Sequence, residues 1–322
     1  MDEFDLIDLI RARSATLRGD VRLGIGDDGA VLAPPAGQEL VACTDTLVGG
    51  VHFPTATAAS DIGWKALAVN LSDLAAMGAT PAWALLALTL PHAERAFLEE
   101  FLDGFFELAA TCRVALVGGD TARGPLSASV TALGFVPPGL ALRRDGARPG
   151  DLVYVTGSLG DAAAGLHCLA QEAGPVVSAA HRAALVARLH RPQPRLAAGA
   201  ALRGAASACI DVSDGLLADL GHVATASGVA IEVEAAALPT SPALLAFPDA
   251  AIRLGWQLGG GDDYELAFAV PPARRDDAIA DLARLGCGAA HIGKVVAGSG
   301  VRAFGADGAE VVPDGRGWRH FA

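Results

Sequence analysis

The stretch Val114-Ala-Leu-Val-Gly-Gly-Asp-Thr-Ala-Arg-Gly-Pro-Leu-Ser-Ala-Ser-Val-Thr-Ala-Leu-Gly-Phe-Val136 sets the fold class of this chain. Its two apolar, β-branched runs, Val114–Val117 and Leu126–Val136, read as strands around a Gly-Gly-Asp turn. Directly before them, Ala93–Cys112 has helical periodicity. Strand and helix signals joined by connections this short describe a mixed α/β protein.

The same alternation continues outward. Trp83–Leu90 and Val41–Thr46 are strand-like. A helix capped by Ser60 or Asp61 runs through Ile62, Leu67, Leu71, Leu74 and Met77, stops at Gly78 and is followed by Pro81. Phe4, Ile7 and Ile10 place one apolar face on a helix over residues 3–13. Composition shifts at Pro137-Pro138-Gly139 and again at Arg148-Pro149-Gly150-Asp151, which predicts two domains, residues 1–137 and 148–322. In the second, Leu152–Thr156, Ser207–Val212, Leu266–Val270 and His291–Val296 read as strands. Helices are expected from Asp161, over Leu216–Ala226 and over Arg274–Leu285, with a break at Arg191-Pro-Gln-Pro194.

Composition removes several function classes. The net charge of −12 over 322 residues disfavours a nucleic-acid binder, whose footprint would be basic. With 52% hydrophobic residues the chain is too apolar for disorder. Its longest apolar runs, such as Trp83–Leu90, fall far short of the ~20 residues of a spanning helix, so no membrane association is expected. The acidic start Met1-Asp2-Glu3-Phe4-Asp5 is unlike a signal peptide. Five cysteines without a C-x-x-C suit a reduced, cytoplasmic protein, and the eight histidines form no zinc motif.

Two phosphate-loop patterns fail on context. Gly288-x-x-x-x-Gly293-Lys294 has Val295 where a metal-binding hydroxyl belongs, and a helix precedes it instead of a strand. Gly24-Ile-Gly-Asp-Asp-Gly29 carries two carboxylates that would repel a pyrophosphate unless a metal intervened.

Acids recur beside glycines, hydroxyls and apolar runs, where ordinary surface charge is not expected. They are Asp27-Asp28, Asp45 in Cys-Thr-Asp-Thr, Asp73 in Asn-Leu-Ser-Asp-Leu, and Asp120 in Gly-Gly-Asp-Thr. Asp211 and Asp214 in Ile-Asp-Val-Ser-Asp-Gly and Asp262-Asp263 in Gly-Gly-Gly-Asp-Asp-Tyr complete the series. Asp120 and Asp211 each directly end an apolar strand, unlike the turn acids Asp145 and Asp307. Like charges ~4 Å apart cost about 4 kcal/mol at an effective dielectric near 20, so a gathering of these acids needs a cation. Oxygen ligands without Cys/His clusters favour Mg²⁺, which completes its shell with phosphate oxygens and water; an ATP–Mg site follows. Scattered turn aspartates are the alternative reading of the same residues.

The ordered set of motifs resembles the thiamine-monophosphate kinase family. Gly24-Ile-Gly-Asp-Asp-Gly-Ala, Thr44-Asp-Thr-Leu-Val-Gly-Gly-Val-His-Phe53 and Lys65-Ala-Leu-Ala-Val-Asn-Leu-Ser-Asp-Leu-Ala-Ala-Met-Gly-Ala79 carry the resemblance. So do Gly118-Gly-Asp-Thr-Ala-Arg-Gly-Pro125, Ile210-Asp-Val-Ser-Asp-Gly-Leu-Leu217, Gly260-Gly-Asp-Asp-Tyr-Glu-Leu266 and Gly317-Trp-Arg-His-Phe321. The resemblance implies the two-domain α/β fold of the aminoimidazole-ribonucleotide synthetase-like superfamily, with N-terminal sheets pairing across a homodimer and ATP near that interface. It implies ATP- and Mg²⁺-dependent conversion of thiamine monophosphate to thiamine diphosphate. The N-terminal domain would bind ATP and metal and dimerise, and the C-terminal domain would complete the active site. The family's metal ligands fall on Asp28, Thr44, Asp45, Asp73, Asp120, Asp211 and Asp214. Its nucleotide contacts fall on Gly119, Asp120, Arg144 and Ser213, and its substrate contacts on His52, Asp262 and Trp318. Transfer would be metal-assisted, around Asp45 and Asp120, without a dedicated base, because the acceptor phosphate is already ionised at pH 7.

The chain departs from the family pattern at Asp262, where a glutamate one methylene longer is usual, and at Cys43, where many members have serine. A selenophosphate-type synthetase of the same superfamily would want a reactive Cys and Lys early in the chain, and residues 1–20 hold neither. A regulator that binds Mg–nucleotide would show ATP binding without turnover.

Overall fold

The computed structural model describes residues 3–14, 18–170, 177–313 and 317–318. It divides into two units, Met1–Leu74 with Ala79–Gly139, and Ala75–Gly78 with Leu140–Ala322.

The first unit contains α1 (Glu3–Arg13), β1 (Val21–Leu23), β2 (Val31–Leu32), β3 (Glu39–Val48), α2 (Ala59–Ala76), β4 (Thr80–Leu90), α3 (Arg95–Cys112), β5 (Ala115–Arg123) and β6 (Ser127–Val136). The last turn of α2 is counted with the second unit. A four-stranded sheet runs β3-β6-β4-β5; β4 and β5, linked through α3, are parallel, and the other neighbours are antiparallel. Leu98, Phe101, Leu102, Phe105 and Leu108 recur at three- and four-residue spacing and are all buried, so packing sets the orientation of α3. α2 crosses α3 at glycines: a Cβ on Gly63 would lie 1.9 Å from the Phe101 carbonyl oxygen, and one on Gly104 1.7 Å from that of Ser60. One face of the sheet is covered, with Leu47, Leu86 and Val130 buried; on the other, Leu40 and Leu85 are exposed.

The second unit contains β7 (Leu152–Thr156), α4 (Asp161–Ala170), α5 (Ala179–His190), α6 (Leu196–Leu202), β8 (Ala208–Asp211), α7 (Leu216–Ser227) and β9 (Ala230–Glu234). It continues with α8 (Pro242–Leu245), α9 (Ala250–Gly259), β10 (Leu266–Val270), α10 (Arg275–Arg284), β11 (Ala289–Val296), β12 (Gly300–Phe304) and β13 (Glu310–Val311). The seven-stranded sheet has the order β13-β12-β9-β11-β7-β10-β8. Val153, Val155, Ala267 and Ala269 pack with Leu216, Leu220 and Val223 of α7 on one face. Tyr154, Leu266, Phe268 and Val270 pack with Leu202 and Leu282 on the other. Both faces of β7 and β10 are therefore apolar, which is why these segments read as strands without polar alternation.

Several expectations need correction. Gly118-Gly119-Asp120 is no turn: β5 runs through it to Arg123, with a register shift between Ala84 and Leu85 on the paired strand. Gly119 has φ +151° and a Cβ there would meet the Leu86 carbonyl oxygen at 1.8 Å, so this glycine serves close backbone approach. Asp120 accordingly does not end its strand, whereas Asp211 does end β8. α2 begins at Ala59, which puts Ser60 and Asp61 inside its first turn instead of at its cap. Pro81 lies within β4, at a register irregularity where its missing N–H is tolerated. In α1 the buried positions are Leu6 and Ile10, with Ile7 only half-buried. The side chain of Phe4 and residues 319–321 of the closing motif lie outside the described part.

Candidate active site

In the first unit, strand alternation sorts the expected ligands. The row Thr46–Ser129–Ala87–Asp120 crosses all four strands in register and lies on the exposed face. Thr44 shares that face through its partner Thr131, whose hydroxyl donates to Thr44 Oγ1 at 3.1 Å. The next row, Asp45–Val130–Leu86, lies on the covered face, and Gly119, paired with Leu86, is exposed at its β5 end. Side chains of adjacent strand residues point to opposite faces, so Thr44 and Asp45 reach a common ion only if one offers its main chain.

The N–H of Asp45 donates to Asn70 Oδ1 at 3.0 Å, and Cys43 Sγ donates to the Asn70 carbonyl at 3.3 Å. These contacts tie β3 to α2. Asp73, three residues beyond Asn70, lies on the same face of α2. Asp28 sits in the exposed turn that follows β1, where its N–H donates to Asp27 Oδ1. After β3 the chain turns back so that Val48 N–H donates to His52 Nδ1 at 2.9 Å. A neutral His52 ring then carries its proton on Nε2, which makes that nitrogen a donor. The buried Lys65 supports this turn by donating from Nζ to the His52 carbonyl at 3.2 Å.

In the second unit, several expected residues share one construction. Asp211 closes the buried edge strand β8 and pairs in register with Leu266. Beyond it, Val212–Gly215 runs beside the Gly260–Glu265 segment: Asp262 N–H donates to the Ser213 carbonyl, and Tyr264 N–H to that of Val212, each at 2.8 Å. Trp318 N–H donates to the Asp214 carbonyl at 3.0 Å. Ser213, Asp214, Asp262 and Trp318 are thus adjacent. Arg144 is exposed on the segment that borders β8 through the Cys209 N–H to Arg143 carbonyl bond. A cavity of about 500 Å³ opens between α7 and the β12–β13 hairpin, lined by Asp214, Leu217, His222, Val301, Val311 and Trp318 among others.

Three structural acids complete this region, and none was assigned a role from its sequence motif. Asp219 Oδ2 accepts the N–H groups of Ser213, Asp214 and Gly215, each at 3.1 Å, and so shapes the loop. Burial, then the charges of Asp211 and Asp214, push its pKa up to about 7. The Asp263 carboxylate accepts from Gly160 and Ala162 N–H at 2.6 and 3.3 Å. The fully buried Glu265 accepts from Arg188, Arg195 and Thr156. The spacing of Asp219 after Asp-Gly, i to i+4 and i+5 from the loop it caps, was a usable signal; the arginines come from α5 and the α5–α6 connection, which no local pattern links to Glu265.

Among the described residues no three His, Cys, Asp or Glu side chains form a ready metal cage. This donor set still fits Mg²⁺, which takes one or two protein carboxylates and fills its shell with phosphate and water. The mutual repulsion felt by Asp219 from Asp211 and Asp214 is a specific place where a hard cation would relieve charge.

Residues 26–136 match the sequence profile of AIR synthase related protein, N-terminal domain, and residues 148–305 that of its C-terminal domain. Fold and profile together define an AIR synthase related protein. The thiamine-monophosphate kinase of Escherichia coli (strain K12) is 48% identical over 320 residues, covering 99% of this chain and 98% of its own. The crystal structure of the thiamine-monophosphate kinase from Stenotrophomonas maltophilia K279a is 51% identical, with a TM-score of 0.88 and coverage of 97% and 98% of the two chains. AaThiL complexed with AMPPCP and TMP is 35% identical, with a TM-score of 0.79 and coverage of 99% and 97%. The chain belongs to the thiamine-monophosphate kinase family.

Proposed function

We infer that the protein transfers the γ-phosphoryl group of ATP to thiamine monophosphate, giving ADP and thiamine diphosphate. The observation that carries this is near-full-length identity of about half to thiamine-monophosphate kinases, supported by the resemblance to a complex holding AMPPCP and TMP.

The residues then take the following roles. Asp28, Thr44, Asp45, Asp73 and Asp120 of the first unit, and Asp211 and Asp214 of the second, are the acids and hydroxyl assigned to Mg²⁺. Bound there, the metal would neutralise phosphate charge. Gly119 and Asp120, with Arg144 and Ser213, are assigned to the nucleotide; an arginine fork matches phosphate oxygens bidentately. His52 offers its Nε2–H to an acceptor on thiamine monophosphate. Trp318 presents a flat face beside a cavity of mixed polar and apolar lining, suited to the thiazolium or pyrimidine ring. No side chain is asked to act as base, since positioning and charge neutralisation dominate phosphoryl transfer.

The first unit also supports a homodimer. Asp45 and Asp120 lie on opposite sheet faces and three strand spacings apart, about 14 Å. They cannot ligate one ion within a single chain, so they serve separate ions among the several Mg²⁺ assigned here, or one site that a second copy completes. The exposed face bearing Leu40, Thr44 and Leu85 is the surface we assign to a second copy. We place the protein in the cytoplasm, consistent with its five free cysteines, and assign it no nucleic-acid or membrane partner.

Incubation with ATP, Mg²⁺ and thiamine monophosphate, followed by separation of the thiamine esters as thiochromes, tests the reaction. Thiamine diphosphate is expected; its absence under every metal condition would sink the assignment. Asp45→Asn and Asp120→Asn should abolish turnover with the melting temperature kept, and near-normal turnover in both would mean that the metal site lies elsewhere.

A further inference from the structure

The segment Gly260-Gly-Asp-Asp-Tyr-Glu265 enters β10 through two non-glycine residues of positive φ, Asp262 at 69° and Tyr264 at 50°. L-residues seldom adopt this region, so the surroundings must impose it. They do so at four consecutive residues. The N–H groups of Asp262 and Tyr264 are held by the carbonyls of Ser213 and Val212. Between them the Asp263 carboxylate is turned toward the start of α4, where Gly160 and Ala162 donate to it. Glu265 is locked by Arg188 at 2.8 Å, by Arg195 at 2.5 and 2.6 Å, and by Thr156 at 2.7 Å. Gly157 leaves the space for that carboxylate, since a Cβ there would lie 2.2 Å from Glu265 Oε1.

These contacts fix the backbone and the neighbouring side chains. The Asp262 carboxylate itself is met by the hydroxyl of Tyr264, which donates to Oδ1 at 3.1 Å, while the ring is buried. In an extended strand the side chains of residues i and i+2 stand about 6–7 Å apart. The two positive φ values fold the phenol back onto its neighbour. An aspartate at 262, one methylene shorter than glutamate, keeps its carboxylate close to the backbone and within this hydroxyl's reach.

We propose that Tyr264 is a positioning residue: its hydroxyl orients the Asp262 carboxylate so that Oδ2 faces a donor or cationic group of thiamine monophosphate. The proposal rests on the assignment of Asp262 as a contact of this substrate. Tyr264 touches Asp262, not the reacting phosphates, so its loss acts on substrate affinity and not on nucleotide binding.

The test measures kcat, both KM values and the melting temperature for Tyr264→Phe, Asp262→Asn and the double variant. Tyr264→Phe should raise KM for thiamine monophosphate about tenfold, the size expected when a hydrogen bond to a charged group is removed. KM for ATP should stay at its wild-type value, and the melting temperature should fall by no more than the few degrees that one internal hydrogen bond accounts for. In the Asp262→Asn background the same change should add nothing further. An unchanged KM in Tyr264→Phe beside a raised one in Asp262→Asn would overturn the positioning role alone, as would two effects that multiply. A wild-type KM in Asp262→Asn would remove Asp262 from the substrate site and overturn both readings together.

Discussion

Asp263 and Glu265 show how two acids two positions apart meet opposite fates. Glu265 is buried but compensated by two guanidinium groups and a hydroxyl, so it stays paired in the interior. Asp263 is equally buried, and burial pushes its pKa up to about 8 against the pull of the two amide donors and Arg188. A carboxyl raised from 3.8 to about 8 favours the fold most when protonated. Its contribution is complete below pH 3.8 and is lost as pH rises through about 8. Asp263→Asn, which stays neutral, should therefore gain stability relative to wild type as pH rises from about 4 to about 8 in urea unfolding. A stability difference that is flat across that range would show that Asp263 does not titrate there. The sequence marked Asp263 as one of a clustered pair of acids but could not tell the two apart; only the turn of the backbone between them sends one to α4 and leaves the other with Tyr264.

At the scale of elements, glycines decide which helices approach and which merely tolerate the residue. Gly104 of α3 lies against the backbone of α2, so Gly104→Ala must push the helices apart. Overpacking of this kind costs about 1–3 kcal/mol, read as a lower urea midpoint. A Cβ on Gly255 of α9 would meet nothing within 4 Å, and Gly255→Ala should stabilise by about 0.5–1 kcal/mol through helix propensity. Equal midpoints for the two variants would mean that neither environment matters. Helices and central strands were legible from periodicity and apolar runs, as α3, β7 and β10 show. The Gly-Gly-Asp segment was not, because a glycine pair reads alike in a turn and in a strand with a close neighbour. The partner strand β4 makes the difference, and it lies about thirty positions upstream.

For the whole molecule, the acidic charge is divided between two units, and the first carries Asp45 and Asp120 on opposite sides of one sheet. If two copies share a site, homodimers of Asp45→Asn and of Asp120→Asn are both inactive, yet a mixture re-forms one intact site per heterodimer. Random mixing should then restore about a quarter of wild-type turnover, half the dimers being mixed with one good site each. No recovery, with heterodimers verified by mass, would place both acids in service of separate ions within one chain. Mg²⁺ with a nonhydrolysable ATP analogue should raise the melting temperature of the wild type, since a ligand of the native state stabilises it by mass action.

What the sequence determined by itself was the α/β class and the family, because these depend on local periodicity and on ordered motifs that any chain displays linearly. Which acids stand together was decided only by the tertiary structure. Strand register put Thr44 and Asp45 on opposite faces, and main-chain bonds gathered Ser213, Asp214, Asp262 and Trp318. Contacts such as Glu265 with Arg188 and Arg195 join residues about seventy positions apart. Electrostatic repulsion and burial act through space, so the meaning of an aspartate in this chain depends on neighbours that its own motif does not contain.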